Sequence, residues 1–158
     1  MKAPAGRMNN FENRALTEGE TALGQLVFGD EIPWSRVRVV QAPQLGFGAM
    51  VPLGRSIVFS KWRAAKDFAV AGPEEQGWLI HELMHVWQAG HGAVLAFAKL
   101  GAIGARAYAY KPRPRAKLGH YNIERQAEIA RHLFLARINA PEDGAPPRDW
   151  LEQVWATR

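Results

Sequence analysis

Three residues, His81, Glu82 and His85, stand in the arrangement His-Glu-x-x-His. On a helix, residues four apart share a face with Cβ atoms about 5–6 Å apart, so two imidazoles at this spacing can converge on one metal ion. Zinc takes histidine nitrogens at about 2.0–2.1 Å. Glu82 is turned about 100° around the axis from His81, too far to ligate but within reach of a zinc-bound water. There it can accept a proton as the water attacks a carbonyl carbon, and later deliver it to the leaving amine. The chain has no cysteine. Thiolate ligands, disulfides and a cysteine nucleophile are thereby excluded, and a transition-metal site must be built from His, Asp and Glu.

A catalytic zinc normally has three protein ligands and one open position, so a third ligand must be found. His91 would complete a spacing that resembles the metzincins. Gln88 stands where that pattern has its turn glycine, however, and no methionine follows Met84 to make their methionine turn. The alternative is a carboxylate. The stretch Asn122-Ile123-Glu124-Arg125-Gln126-Ala127-Glu128 resembles the gluzincin signature, in which Glu124 maps to the ligand. Glu128 then maps to the acid that hydrogen-bonds a ligand histidine and fixes its tautomer. The same spacing allows the roles to be exchanged, and the bland reading is a solvated face beside Arg125 and Arg131. For stabilising a developing oxyanion, His120 and Tyr121 directly precede this segment and are the catalytic candidates beside Glu82. Tyr108, Tyr110 and His132 are also available.

These residues need elements to hold them. Thr17-Glu18-Gly19-Glu20 reads as a capping box opening a short helix that Gly29 can close. Val37 to Gln41 and Ser56 to Ser60 read as strands, and residues 42–55, with two Pro and three Gly, as a loop or irregular connection. Pro73 fits the edge of a helix running to about Gln88 that carries the histidines. An apolar helix over Ala93 to Ile103, an extended stretch over Arg106 to Tyr110, a helix from Asn122 to about Asn139 and a last short helix from Arg148 or Asp149 complete the prediction. Helix, strands, then long helices is the order of an α+β domain rather than a βαβ array.

Length and composition suit one domain: 158 residues, 47% hydrophobic, 22% charged. We divide the chain into a flexible N-terminal segment, residues 1–14, and a domain over 15–158. The net charge of +5 is carried partly by Lys111-Pro112-Arg113-Pro114-Arg115-Ala116-Lys117. No stacking aromatics accompany it, so a solvated Pro-stiffened loop is expected and no nucleic acid partner. No apolar run is long enough for membrane insertion, and no apolar h-region follows Met1 to Arg7, so the expected location as synthesised is cytoplasmic.

The extended motif His81-Glu82-Leu83-Met84-His85-Val86-Trp87-Gln88 resembles a narrower group, the "Vgr-related" bacterial peptidase-like domains that include extensions of type VI secretion spike proteins. Leu16-Thr17-x-Gly19-Glu20, Val27-Phe28-Gly29-Asp30, Val37-Arg38-Val39, Ile57-Val58-Phe59 and the 124–128 segment share in it, so it covers most of residues 15–135. The resemblance implies a single compact zincin-like domain of gluzincin type, with a small mixed sheet packed on the motif helix and a second glutamate-bearing helix. Zinc would sit on His81, His85 and Glu124, with Glu128 behind them. It further implies a zinc metallopeptidase acting on a peptide or protein substrate as a secreted toxin effector, exported by a signal-independent route such as type VI secretion. A secretion spike carrier and an immunity protein are the implied partners. The competing reading is a catalytically silent zincin-fold component of a type VI or phage-tail-like apparatus.

Overall fold

Strand β1 (Asn13–Ala15) leads directly into α1 (Glu18–Phe28), and the join is built around one buried acid. Thr17 caps α1 and accepts from the Glu20 amide, while the Glu20 carboxylate accepts from the Thr17 amide at 2.8 Å. The same carboxylate takes two 2.7 Å bonds from Arg14 and one of 2.8 Å from the Phe68 amide. Glu20 is fully buried, and only this complete set of donors makes a buried carboxylate tolerable. Gly29, at φ 54°, ends α1 in a conformation that glycine adopts without strain.

These observations come from a computed structural model that describes residues 5–46, 48–52, 54–93 and 108–158. Strands β2 (Arg38–Gln41) and β4 (Ser56–Phe59) run parallel at the centre of a four-stranded mixed sheet. β1 flanks β2 and β3 (Ala49–Met50) flanks β4, both antiparallel, giving the order β1-β2-β4-β3. Strict alternation in β2 and β4 turns Val39, Gln41, Ile57 and Phe59 inward. Among the described residues three further α-helices follow: α2 (Pro73–Gly90), α3 (Ile123–Arg137) and α4 (Arg148–Trp155). Leu79, Ile80, Leu83 and Met84 of α2 meet Ile129, Ala130, Leu133 and Phe134 of α3 in the core, and α4 closes it with Leu151, Val154 and Trp155. α1 approaches so closely that a Cβ on Gly24 would lie 2.5 Å from the Trp34 ring.

The α+β class and the mixed sheet are as expected; three details differ. The short strands β1 and β3 fall where no strand was read, because their pairing with β2 and β4 makes them strands and their own residues carry no β pattern. Residues 5–14, expected to be loose, are integrated: Met8 is buried and donates its amide to Ala64 O at 2.9 Å. The Lys66 amide donates to Gly6 O at 2.8 Å, and the Gln41 side chain holds Phe11 N at 3.1 Å. α3 ends at Arg137, two residues short of the expected limit. The helix read over 93–103 lies, beyond its first residue, outside the described residues, as do Arg106 and Ala107. Among the described residues no helix is long and apolar enough to cross a membrane.

Candidate metal centre

Helix α2 starts with Pro73 at its first position and Glu74 and Glu75 in its first turn, where a fixed φ and negative charge suit the free amides of the helix end. From about two turns later onward it buries His81, Glu82, His85 and Gln88 among apolar neighbours. Four buried polar side chains demand partners, and α3 supplies most of them. Asn122 caps α3, accepting from the Arg125 amide at 2.8 Å, which fixes Glu124 in the first turn against α2.

Each imidazole is oriented from behind. His81 Nδ1 lies 2.7 Å from Glu128 Oε1, and His85 Nδ1 lies 2.8 Å from Gln88 Oε1. With both Nδ1–H groups donating to these oxygens, both Nε2 atoms face the same way, towards Glu124. Glu124 Oε2 is 3.2 Å from His81 Nε2 and 3.3 Å from His85 Nε2. A carboxylate oxygen and two imidazole lone pairs repel one another at such distances unless something positive sits among them.

The electrostatics agree. Burial alone would push His81 down, but hydrogen bonds to Glu124 and Glu128 outweigh it and raise its pKa to about 9. Burial would likewise raise Glu124, yet the two histidines hold its carboxyl far below the usual range. Glu128 is also lowered: against burial, His81, Arg131 and His132 favour its charged form. One donor atom each from His81, His85 and Glu124 lies within 4.8 Å of the others, and all three residues are buried, so the cluster could hold a metal ion. Two imidazoles and one carboxylate form a donor set that suits zinc.

Glu82 opens from α2 into a cleft of about 420 Å³ that also exposes His81 and Tyr108. Its Oε2 is buried and has no hydrogen-bond partner among the described residues. A carboxylate oxygen left unmatched in this way is destabilising, and its persistence at a cleft floor points to a partner delivered by the cleft. The Tyr108 ring lies 5.8 Å from that of His81. Burial, then the charges of Glu124, Glu82 and Glu128, raise its pKa, so it stays a protonated phenol, a hydrogen-bond donor.

The other predicted residues fall elsewhere. His91 caps the end of α2, stacks on Trp87 at 4.0 Å and contacts Trp87 O, away from the other two histidines' Nε2 atoms. His120 and Tyr121, the expected oxyanion candidates, are not among the residues that line the cleft. His120 is exposed and accepts from the Lys117 amide, and Tyr121 donates to Lys111 O at 3.0 Å and packs on Tyr110 and Trp150. Both residues precede the cap of α3, where Tyr121 packs on Trp150 of α4 while Glu124 faces the histidines of α2. Tyr110 is engaged with His132 at 2.5 Å. Of the five, Tyr108 alone reaches the cleft.

Sequence reasoning missed the role of Gln88. Besides holding His85, its Nε2 donates to Ile123 O and Gln126 Oε1, each at 3.0 Å, tying α2 to the start of α3. Its position three residues after His85, on the same face, was the available signal. It also missed the cleft wall of Trp62, Arg63 and Trp78, for which the sequence carries no local signal. Arg131, bonded to Glu128 at 3.1 Å and Glu142 at 2.6 Å, fixes Glu128 from outside.

No protein-family model matches the chain. Over 145 residues, 85% of the chain, the sequence is 34% identical to the type VI secretion system spike protein VgrG2b of Pseudomonas aeruginosa, of whose length the chain spans 14%. The solved effector domain of Pseudomonas aeruginosa VgrG2b superposes with a TM-score of 0.72 at 30% identity, covering 96% of this chain and 87% of that domain.

Proposed function

The chain belongs to the family of the VgrG2b effector domain, and from that premise we propose that it is a zinc-dependent peptidase acting as a type VI secretion effector. The observation that carries the reading is the uncommitted Glu82 carboxylate oxygen at the floor of a cleft, one residue from a buried His81-His85-Glu124 donor set. The likeness to an effector domain supports the effector role, and the donor set with its adjacent base supports the chemistry.

His81, His85 and Glu124 would hold the ion, with Glu128 and Gln88 keeping both imidazoles in the ligating tautomer. Zinc, when bound there, supplies a Lewis acid that polarises a carbonyl and acidifies water. Glu82, whose side chain lines the cleft, takes the proton from the attacking water and returns it to the leaving amine. The Tyr108 phenol, at the cleft wall, donates a hydrogen bond to the carbonyl oxygen as it gains charge. A spike protein is the proposed carrier, by analogy with the relative, which is itself a spike protein. A cognate immunity protein is the expected inhibitor.

The test is metal analysis of purified protein combined with hydrolysis of a broad peptide library by wild type and Glu82→Gln. One zinc per chain is expected in both, with cleavage by wild type only and a loss of about 10²–10⁴-fold in the variant. Protein without stoichiometric metal, or a Glu82→Gln variant as fast as wild type, would overturn the proposal. Stoichiometric zinc with no cleavage of any peptide would favour the silent assembly module.

A further inference from the structure

One wall of the cleft has features that neither the metal donors nor the proposed base uses. Arg63 lies with its guanidinium 3.9 Å from the centre of the Trp78 ring and has no carboxylate partner among the described residues. Trp62, beside it, is 67% exposed and also lines the cleft, with the Lys61 ammonium 4.5 Å over its ring. Ser60 completes the wall, its hydroxyl buried and without a partner among the described residues. An unpaired cation on an aromatic platform, an unsatisfied hydroxyl and an exposed indole in one recess form a receptor for an anionic, partly apolar group.

Position narrows the ligand. Trp78 precedes Glu82 by one turn of α2, so the ring that carries Arg63 springs from a backbone position about 6 Å along the helix axis from that of the proposed base. The negative Glu82 disfavours an anion at the reacting position itself. Glu128, the other acid in the cleft, is already matched by His81 and Arg131. We propose that this wall is a specificity subsite that recruits peptides carrying an acidic side chain, Asp or Glu, next to the segment lying over Glu82. The planar guanidinium, held flat by Trp78, would take the carboxylate side-on, and Trp62 would cover its methylenes.

This inference rests on the peptide-substrate reading, yet its test needs no turnover. Full-length Glu82→Gln protein is titrated calorimetrically with three dodecapeptides identical except for Glu, Gln or Lys at one central position. The Glu peptide is expected to bind about tenfold more tightly than the Gln peptide, the size of one charge-assisted hydrogen bond. Arg63→Glu, checked for an unchanged circular dichroism spectrum, should reverse the order and favour the Lys peptide. Arg63→Lys should keep the sign of the preference with a smaller ratio. Equal affinities for Glu and Gln peptides, a preference that survives Arg63→Glu, or no binding of the Glu peptide would each overturn the subsite. The two proposals fail separately: zinc-loaded wild type that cleaves acidic and neutral peptides alike removes the subsite and leaves the peptidase. Tight acidic-peptide binding without cleavage does the reverse.

Discussion

Replacing Gln88 separates the two tasks that this one side chain performs. Its Oε1 accepts from His85 Nδ1 at 2.8 Å, and its Nε2 donates to Ile123 O and Gln126 Oε1 at 3.0 Å each. Gln88→Ala removes both. Losing the partner behind a ligand histidine weakens metal binding by about 10–100-fold, or about 1.4–2.8 kcal/mol. Losing the bridge takes a donor from two part-buried acceptor oxygens, which lowers the stability of the metal-free protein by about 1–3 kcal/mol. Gln88→Glu keeps an acceptor for His85 but turns a carboxylate oxygen towards Ile123 O and Gln126 Oε1. It should therefore hold zinc at least as tightly as wild type while unfolding at lower urea. Competition against a chromophoric chelator reads the first quantity, and urea unfolding in EDTA reads the second. Wild-type affinity in Gln88→Ala, or a loss in Gln88→Glu as large as in the alanine variant, would refute this role for Gln88. Either result would mean that His85 is oriented by packing alone.

Three further outcomes are expected. Glu20→Ala strands the part-buried Arg14 guanidinium and two backbone amides, so urea unfolding should show a loss of about 3–5 kcal/mol. Tyr108→Phe should keep its metal and lower kcat about 10²-fold with little change in KM, whereas His120→Ala and Tyr121→Phe should leave steady-state rates near wild type. Glu152, held below the usual carboxylate range chiefly by its hydrogen bond to Arg137, stabilises the fold above its unfolded pKa and loses that contribution as pH falls through its folded value. Thermal melting should therefore show Glu152→Gln less stable than wild type at pH 7, with the gap closing towards pH 3.

Local pattern was enough for some of this molecule. His81, Glu82 and His85 were legible because a single helix sets their mutual geometry, and helical spacing can be read directly from residue numbers. The Thr17–Glu20 capping box, the closing Gly29, the central strands and α2, α3 and α4 were legible for the same reason: each is a signal confined to a few neighbouring residues. The 124–128 segment identified two acids but left their roles, and the claim of His91, open.

Tertiary structure decided what depends on two elements meeting. The approach of α3 to α2 turns Glu124 to both Nε2 atoms and Glu128 to one Nδ1, a distinction that i, i+4 spacing cannot express. Tyr108, Trp62 and Arg63 reach the cleft from segments with no periodic signature, while His120 and Tyr121 stay outside its lining. Strands β1 and β3 exist only through their neighbours' hydrogen bonds. By itself the sequence determined that two imidazoles would share one helix face with a carboxylate beside them, since bonded geometry and helical pitch suffice for that. Which carboxylate faces the pair, and which side chains wall the cleft above it, follow from packing between residues far apart in the chain, where non-local burial sets every direction.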